Sequence, residues 1–550
     1  MSYSTTNDGA ATPRGRAWYS LAQDDKPVNR IAESLPASDA YPLRRILLLG
    51  LVVAALIPRL VMALLIPTVC SDGTIYITAA ESIERNGLQM PTGYALNLYP
   101  IILAGLHSLG LSWETAGKLW GVSCSAMVVL PLFGWIRRQF DDRTALFACL
   151  LYAGHPKLIE WAPELIREQT FWLLFTTGLY CSWRAAVEVR LAYYFAAAVA
   201  LAAATFTRFE GLFLLIPLLY WTGARFISLR TDRGRLVRNF ALVFVAVPCA
   251  LLLVKLTLLR TTPLSECLNS APLARLTGLI HNFLGDENAG VVAFDREHFG
   301  MRPGAFSSVT LGKTMQVILR GLTPPYAVLL LIGLLTQGRR SLRSDRLPAV
   351  LIAVVTVTAI WIHTWYSGLA SSRYILTVAL FSSGTAAAGL LSVCRLVSRS
   401  AAEVTALSWQ RAAAVGITAA VFIFGCCDAF KSNYAGRVDK AQLGLWLREQ
   451  YGRDHVIYGC DEQLDLIAYY AKAQCFRLPT NRDAALIEPE MKQVRPDIVL
   501  LSNPPLPPAS CRALTETAAQ LGMTMLDVPK SNVRRPIVMT ALEAQGGMQR

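Results

Sequence analysis

The stretch 46-ILLLGLVVAALIPRLVMALLIP-67 decides the fold class, for it contains a single ionisable side chain, Arg59. At 1.5 Å rise per residue, about 20 apolar residues cross a hydrocarbon core of about 30 Å. Backbone polar groups in lipid must be bonded within their own segment, so such a window is a helix. Working outward, similar windows fall at roughly 114–136, 144–156, 168–186, 190–207, 210–226, 239–259, 314–336, 347–363, 374–394 and 411–428. The 550 residues are 53% hydrophobic and only 16% charged, against about 25% charged in a soluble domain. The expectation is a polytopic α-helical membrane protein with about eleven transmembrane helices. Residues 96–110 (LNLYPIILAGLHSLG) are apolar but too short to cross, and read as a surface or re-entrant helix.

The net charge of +14 is a topology signal rather than a nucleic-acid signal. With a cytoplasmic N-terminus, the inner loops carry Arg137, Arg138, Arg143, the run from Arg225 to Arg238, and Arg339, Arg340, Arg343 and Arg346. The short outer loops carry only scattered cations such as Arg85, Lys157, Arg167, Arg208 and Arg373. The positive-inside rule then places the segments 68–113 and 260–313, and everything after 428, outside. Residues 1–43 read as a disordered cytoplasmic tail, not as a cleavable signal.

Beyond residue 429 the pattern changes to alternating short apolar runs and amphipathic helices. Strand-like runs fall at 456–459, 475–478, 497–502, 523–528 and 537–541, separated by helical text at 462–472, 484–494 and 511–521. This alternation predicts a soluble α/β domain with a mostly parallel sheet. No GxGxxG or GxxxxGK[ST] run occurs in it, so nucleotide binding is unsupported. The 12 cysteines include no CxxC, and the six histidines no HExxH, so neither a metal site nor a disulfide scaffold is indicated. Cys460 and Cys475 close adjacent strand edges, either as a disulfide or as two thiols.

The chemistry-bearing residues gather beside span ends on the outer face. In 70-CSDGTIYITAAESIERNGLQMPTGYALNLYP-100, Asp72 sits within about one helical turn of the bilayer edge. Tyr76, Ala79, Ala80 and Ile83 recur at helical spacing behind it. Asp72 has two readings: Ser71 or Asp72 caps that helix, or Asp72 is a base meeting a lipid-linked substrate. Glu164, Arg167 and Glu168 (161-WAPELIREQTFWLLF), Arg208 and Glu210 (205-TFTRFEGLFLL), and Arg373 (371-SSRYIL) stand at the same rim. Each is either a snorkelling rim residue or part of a shared polar cavity, since ionisable groups beside lipid face a cavity or a partner. Arg59 lies too deep to snorkel fully; a buried partner or a phosphate is one reading, and local thinning of the bilayer is the other. His155 and His363 fall at outer span ends, and the acidic 286-DENAGVVAFDREH-298 reads either as a lid or as a solvated loop.

In order, these segments resemble the GT-C glycosyltransferases, in the bacterial branch related to lipid A aminoarabinose transferases and protein mannosyltransferases. The likeness rests on Asp72 and Tyr76 with Asn86-Gly87, on Tyr99-Pro100, on Glu168 heading a span, on Thr207–Gly211 (TRFEG, similar to the family's TRPEG), and on Arg373-Tyr374. It covers roughly residues 45–390. The trailing domain, with Trp446-Leu447 and Tyr469–Ala471, also resembles domains attached to such enzymes. Where many members carry a second acidic residue, this chain has Gly73, which points to the metal-independent variant without a cofactor.

The resemblance implies transfer of one sugar from a polyprenyl-phosphate donor to a lipid, glycan or protein acceptor. Asp72 is then the expected general base, and Arg208, Arg373 and Arg59 the donor-phosphate ligands. Tyr76, Tyr99, Glu168 and Glu210 are expected to line the substrate groove. The competing readings are a membrane transporter, and a polysaccharide polymerase or ligase with a diphosphate-linked donor. The outer segments contain no Asn-X-Ser/Thr run, which favours a bacterial inner membrane over an endoplasmic reticulum.

Overall fold

The computed structural model describes residues 41–87, 97–228, 233–258, 308–338, 346–367, 371–398, 403–431, 434–459, 463–477, 484–501, 508–526 and 540–544. Of the expected tail 1–43, residues 1–40 lie outside the described residues, as do most of the segment 260–313 with its acidic run and Cys460, whereas 41–43 open the first helix.

The first part is a helical bundle. In chain order its helices are α1 (Tyr41–Leu65), α2 (Ser71–Asn86), α3 (Leu98–His107), α4 (Trp113–Met127), α5 (Val129–Gln139), α6 (Asp142–Ala153), α7 (Pro156–Glu160), α8 (Glu168–Glu188) and α9 (Leu191–Thr207). A 3₁₀ segment, Phe209–Leu214, leads to α10 (Leu215–Ser228) and α11 (Arg233–Leu258). Then come α12 (Ser308–Leu322), α13 (Pro324–Gln337), α14 (Leu347–Ser367), α15 (Ser372–Ser398) and α16 (Glu403–Phe430).

Among the described residues, six helical stretches are long and apolar enough to cross a membrane, or seven if the bent pair α12–α13 is one span. Several of the eleven expected windows are real helices shorter than a bilayer crossing, including α6 and α9. The window 314–336 is two helices bent by 96°. Pro324 and Pro325 follow the bend and Thr323 has φ 60°, because proline can neither continue the preceding ladder nor fit its turn. Residues 96–110 contain the short helix α3, capped by Asn97, whose side chain accepts from the Tyr99 N–H at 3.0 Å.

The core sits between α5, α6, α8 and α15, where Trp135, Tyr152, Phe171, Trp172, Phe175 and Phe381 are buried. Small residues permit the close approaches. A Cβ on Gly389 would lie 2.0 Å from the Leu329 carbonyl oxygen, so α13 and α15 cross almost backbone to backbone.

Arg59 is fully buried in α1. Its guanidinium donates to the carbonyls of Ala55 at 2.8 Å, Ala153 at 3.0 Å and Tyr152 at 3.4 Å, and to Ser125 Oγ at 2.8 Å. Ala153 is the last residue of α6, so Arg59 satisfies carbonyls that a helix end leaves open in apolar surroundings. That is the buried-partner reading, and it commits every part of the guanidinium away from a donor phosphate.

The second part opens with α17 (Ala435–Tyr451). Its strands are β1 (Val456–Gly459), β2 (Gln474–Arg477), β3 (Ile498–Leu501), β4 (Met523–Leu526) and β5 (Thr540–Ala544). Between them lie α18 (Leu464–Ala471), α19 (Ala484–Val494) and α20 (Pro508–Gln520). The strand order is β2-β1-β3-β5-β4. The first three strands are parallel as expected, but β5 inserts between β3 and β4 and runs antiparallel to both. Only 13 residues, with Pro529 and Pro536 among them, separate β4 from β5, and a parallel return needs a crossover of a dozen or more residues, whereas an antiparallel one does not.

Alternation along the strands sends Ile457, Ile498 and Leu500 against α17 and α18, and Tyr458 and Val499 against α19 and α20. Cys475 is a free thiol donating to Asp465 Oδ1 at 3.3 Å. Just before β1, burial holds the His455 imidazole below its usual value, against the pull of Asp497 and Asp454. A base lowered in this way stabilises the fold above its ordinary pKa of about 6.5, and that contribution is lost as pH falls below it. Protection factors of β1 and β3 amides should therefore drop on acidification from about pH 7 to pH 5, and His455→Phe should flatten that drop in hydrogen-exchange measurements.

Candidate active site

The end of α1 and the first turn of α2 are separated by only the residues 66–70. The helix cap there is neither Ser71 nor Asp72. Cys70 caps α2, its Sγ accepting from the Gly73 N–H at 3.3 Å. Asp72 lies in the first turn, where the helix dipole favours an anion, and its carboxylate is free to point elsewhere. It forms an ion pair with Arg373, at the start of α15, 301 residues away in sequence.

Arg373 is shared. Its Nε lies 3.4 Å from Glu168 Oε1, at the start of α8. The same Glu168 oxygen accepts from Arg208 Nη1 at 2.6 Å. Arg208 in turn holds Glu210 through Nη2 at 2.5 Å and Nε at 3.2 Å. The result is one chain of charge, Asp72–Arg373–Glu168–Arg208–Glu210, drawn from four separate parts of the sequence. Arg167 lies within electrostatic reach of both Glu168 and Glu210. Three carboxylates thus face three guanidinium groups.

Arg208 reaches this position because the chain breaks between α9 and α10. Its backbone is extended, with φ −148° and ψ 140°, and the 3₁₀ segment after it folds back on α9. A Cβ on Gly211 would lie 2.2 Å from the Thr205 nitrogen, so that turn admits only glycine. This is the structural content of the TRFEG stretch.

Aromatic rings wall the cluster. The Tyr374 ring centroid lies 5.3 Å from both Arg208 and Arg373. Trp161 lies 5.9 Å from Arg373, and Phe171 5.8 Å from Arg208. Cation–π contact of this kind holds a guanidinium without neutralising it. Trp161 is not among the expected site residues and Tyr374 enters there only through the resemblance, because nothing in the sequence marks an aromatic facing a cation as distinct from one facing lipid.

Tyr76 and Tyr99 meet edge-to-face, with centroids 5.2 Å apart. Tyr99 is fully buried among Ala80, Leu103, Ala104 and Ala116, so it backs the site rather than lining an open groove. Burial pushes the Tyr76 phenol up to about 12, which keeps it a neutral hydroxyl. Glu164 is not part of the chain: it accepts from Arg437 of α17 at 2.6 Å. Burial raises its carboxyl above the usual range, with Arg437 pulling the other way. His155 is buried, 3.3 Å from the Leu322 carbonyl. His363 packs edge-to-face on Tyr374 at 5.6 Å. Among the described residues, no group of three or more His, Cys, Asp or Glu side chains is arranged to hold a metal.

Residues 98–257 match the dolichyl-phosphate-mannose-protein mannosyltransferase family. ArnT from Cupriavidus metallidurans bound to undecaprenyl phosphate is similar in structure, with a TM-score of 0.57 and 14% identity, over 93% of this chain and 99% of that one. Its apo state gives 0.55 and 14% identity, over 90% and 97%. No curated protein matches in sequence. The fold is that of the GT-C membrane glycosyltransferases, on a multi-pass membrane protein.

The ionic chain also carries stability. Breaking a buried ion pair by removing one partner costs about 3–5 kcal/mol, because the other charge is stranded. The Arg208 and Glu168 side chains are 9% and 4% exposed, so Arg208→Ala should lower the unfolding midpoint of detergent-solubilised protein well beyond any effect of Arg85→Ala, whose side chain is 77% exposed.

Proposed function

We propose that this protein is an inverting glycosyltransferase. It moves a single sugar from a polyprenyl-phosphate-linked donor to a lipid, glycan or protein acceptor at the outer face of a bacterial inner membrane. In this reading the N-terminus is cytoplasmic and the C-terminal domain periplasmic. The observation that carries the proposal is a difference in exposure within one ionic chain. The Asp72 side chain is 39% exposed while paired to Arg373, whereas Glu168 is 4% exposed and contacts both arginines. Asp72 is the carboxylate an acceptor hydroxyl can reach; Glu168 is the one that fixes the guanidinium groups.

The chemistry follows from that division. A donor phosphate is an anion that competes with carboxylates for Arg373 and so loosens its hold on Asp72. The acceptor oxygen attacks the anomeric carbon as its proton passes to Asp72. The bond from that carbon to the phosphate oxygen breaks, and its electron pair stays on the phosphate. The growing negative charge faces Arg373 and Arg208, which are oriented in advance by Glu168 and Glu210. A phosphate leaves as a stable anion, so no general acid is needed. One displacement at one carbon inverts its configuration. Gly73, in place of a second acidic residue, supports a metal-independent step. Tyr76 stands near Asp72 as a neutral hydroxyl for sugar or lipid contact. The fold's likeness to a protein solved with undecaprenyl phosphate supports a polyprenyl-phosphate carrier.

Asp72→Asn keeps the shape of the side chain and removes the base, so transfer should fall about 10²–10⁴-fold. The measurement is release of labelled sugar from polyprenyl-phosphate glycolipids extracted from the source cells, using purified, lipid-supplemented protein. Full activity in that variant rejects the base assignment. Uptake of sugar by proteoliposomes without cleavage of the donor would favour a transporter instead.

A further inference from the structure

The C-terminal domain touches the bundle at the residues that flank Asp72. Helix α18 packs against α2. Its Leu466 is fully buried in one cluster with Val69, Ile77 and Leu165. Four residues on, the Tyr470 hydroxyl accepts from the Val69 backbone N–H at 3.2 Å and donates to Glu114 Oε1 at 3.2 Å. From α17, Arg437 donates to Glu164 at 2.6 Å, and the Glu164 side chain is only 2% exposed. Val69 and Cys70 lead directly into the first turn of α2, and Leu165 presses on that turn from the other side. There is no slack between them: a Cβ on Gly73 would lie 2.5 Å from Val69 Cγ1 and 2.9 Å from Leu165 Cβ.

Resting on the reading of Asp72 as base, we propose that the C-terminal domain is a working part of the active site, with Tyr470 and Arg437 as positioning residues that fix the first turn of α2. Arg208 and Arg373 are held by Glu168 and Glu210 within the bundle, so the donor-phosphate ligands do not depend on this brace. The base does. Tyr470 accepts from the amide of the fully buried Val69, and Arg437 holds Glu164, next to Leu165. Loss of either contact frees α2 to drift relative to Arg373. A domain serving only to contact acceptor would not need three anchors on the segments either side of Asp72.

The test uses the full chain in lipid nanodiscs. In Tyr470→Phe, hydrogen exchange of the amides at 69–74 should quicken about tenfold, the effect of stranding one buried N–H. Binding of undecaprenyl phosphate, followed by Trp fluorescence, should stay within about twofold of the unmodified chain, while kcat on the extracted polyprenyl-phosphate glycolipids falls about tenfold. Arg437→Gln should behave alike, and Arg437→Lys should recover most of the loss. Unchanged exchange at 69–74 in Tyr470→Phe overturns the inference whatever Asp72→Asn does. Loss of undecaprenyl phosphate binding in step with kcat overturns it too, since that is general unfolding. Faster exchange at 69–74 together with full activity in Asp72→Asn supports the brace and sinks the base assignment instead.

Discussion

Charged groups at the edge of a hydrocarbon layer are stable only when each has a partner, and that requirement organises this molecule. Asp72, Glu168 and Glu210 stand at or beside helix ends that enter the same rim, and Arg373 and Arg208 are drawn between them. Any one of these side chains facing lipid alone would cost several kcal/mol. Joined, they tie α2, α8, the α9–α10 break and α15 to one point. The same ionic chain that pins the helices is the one in which the proposed function seats an anionic substrate beside a base. Glu168 is the buried link that contacts both arginines, and Asp72 the half-exposed end of the chain, which is why the proposed function gives them different roles.

Backbone irregularity in the bundle has identifiable causes. The extended residue at Arg208 and the tight turn at Gly211 interrupt what would otherwise be a simple helical hairpin, and they deliver Arg208 to the cluster. The bend at Thr323 follows from two prolines. Arg59, by contrast, is a buried charge with no part in the cluster, and its guanidinium closes the carbonyl end of α6. Depth in a span therefore does not distinguish a substrate ligand from a helix cap. The distinction lies in whether the donors of the guanidinium are already taken by carbonyls.

The C-terminal α/β domain packs against α2, the helix that carries Asp72. Its sheet core is built on the alternation of Ile457, Tyr458, Ile498, Val499 and Leu500 between two helical layers. Its contact with the bundle is made by different residues, Leu466, Tyr470 and Arg437, on the helices α18 and α17. Fold and docking are thus carried by separate side chains, which lets the domain press on α2 without disturbing its own core.

The sequence alone determined the membrane character, the parallel part of the sheet and the rim residues around which the site is built. These rest on local signals: apolar run length, strand–helix alternation, and ionisable residues at span ends. Asp72, Glu168, Arg208, Glu210 and Arg373 were all legible because charge beside an apolar window is conspicuous in one dimension. Tertiary structure decided which of them meet. It paired Asp72 with Arg373 across 301 residues and Glu164 with Arg437 across 273, buried Tyr99 behind the site, removed Arg59 from it, and turned β5 antiparallel. Such outcomes depend on which helix ends share a rim and which donors are already satisfied. Periodicity and composition are properties of neighbours along the chain, whereas pairing is a property of neighbours in space.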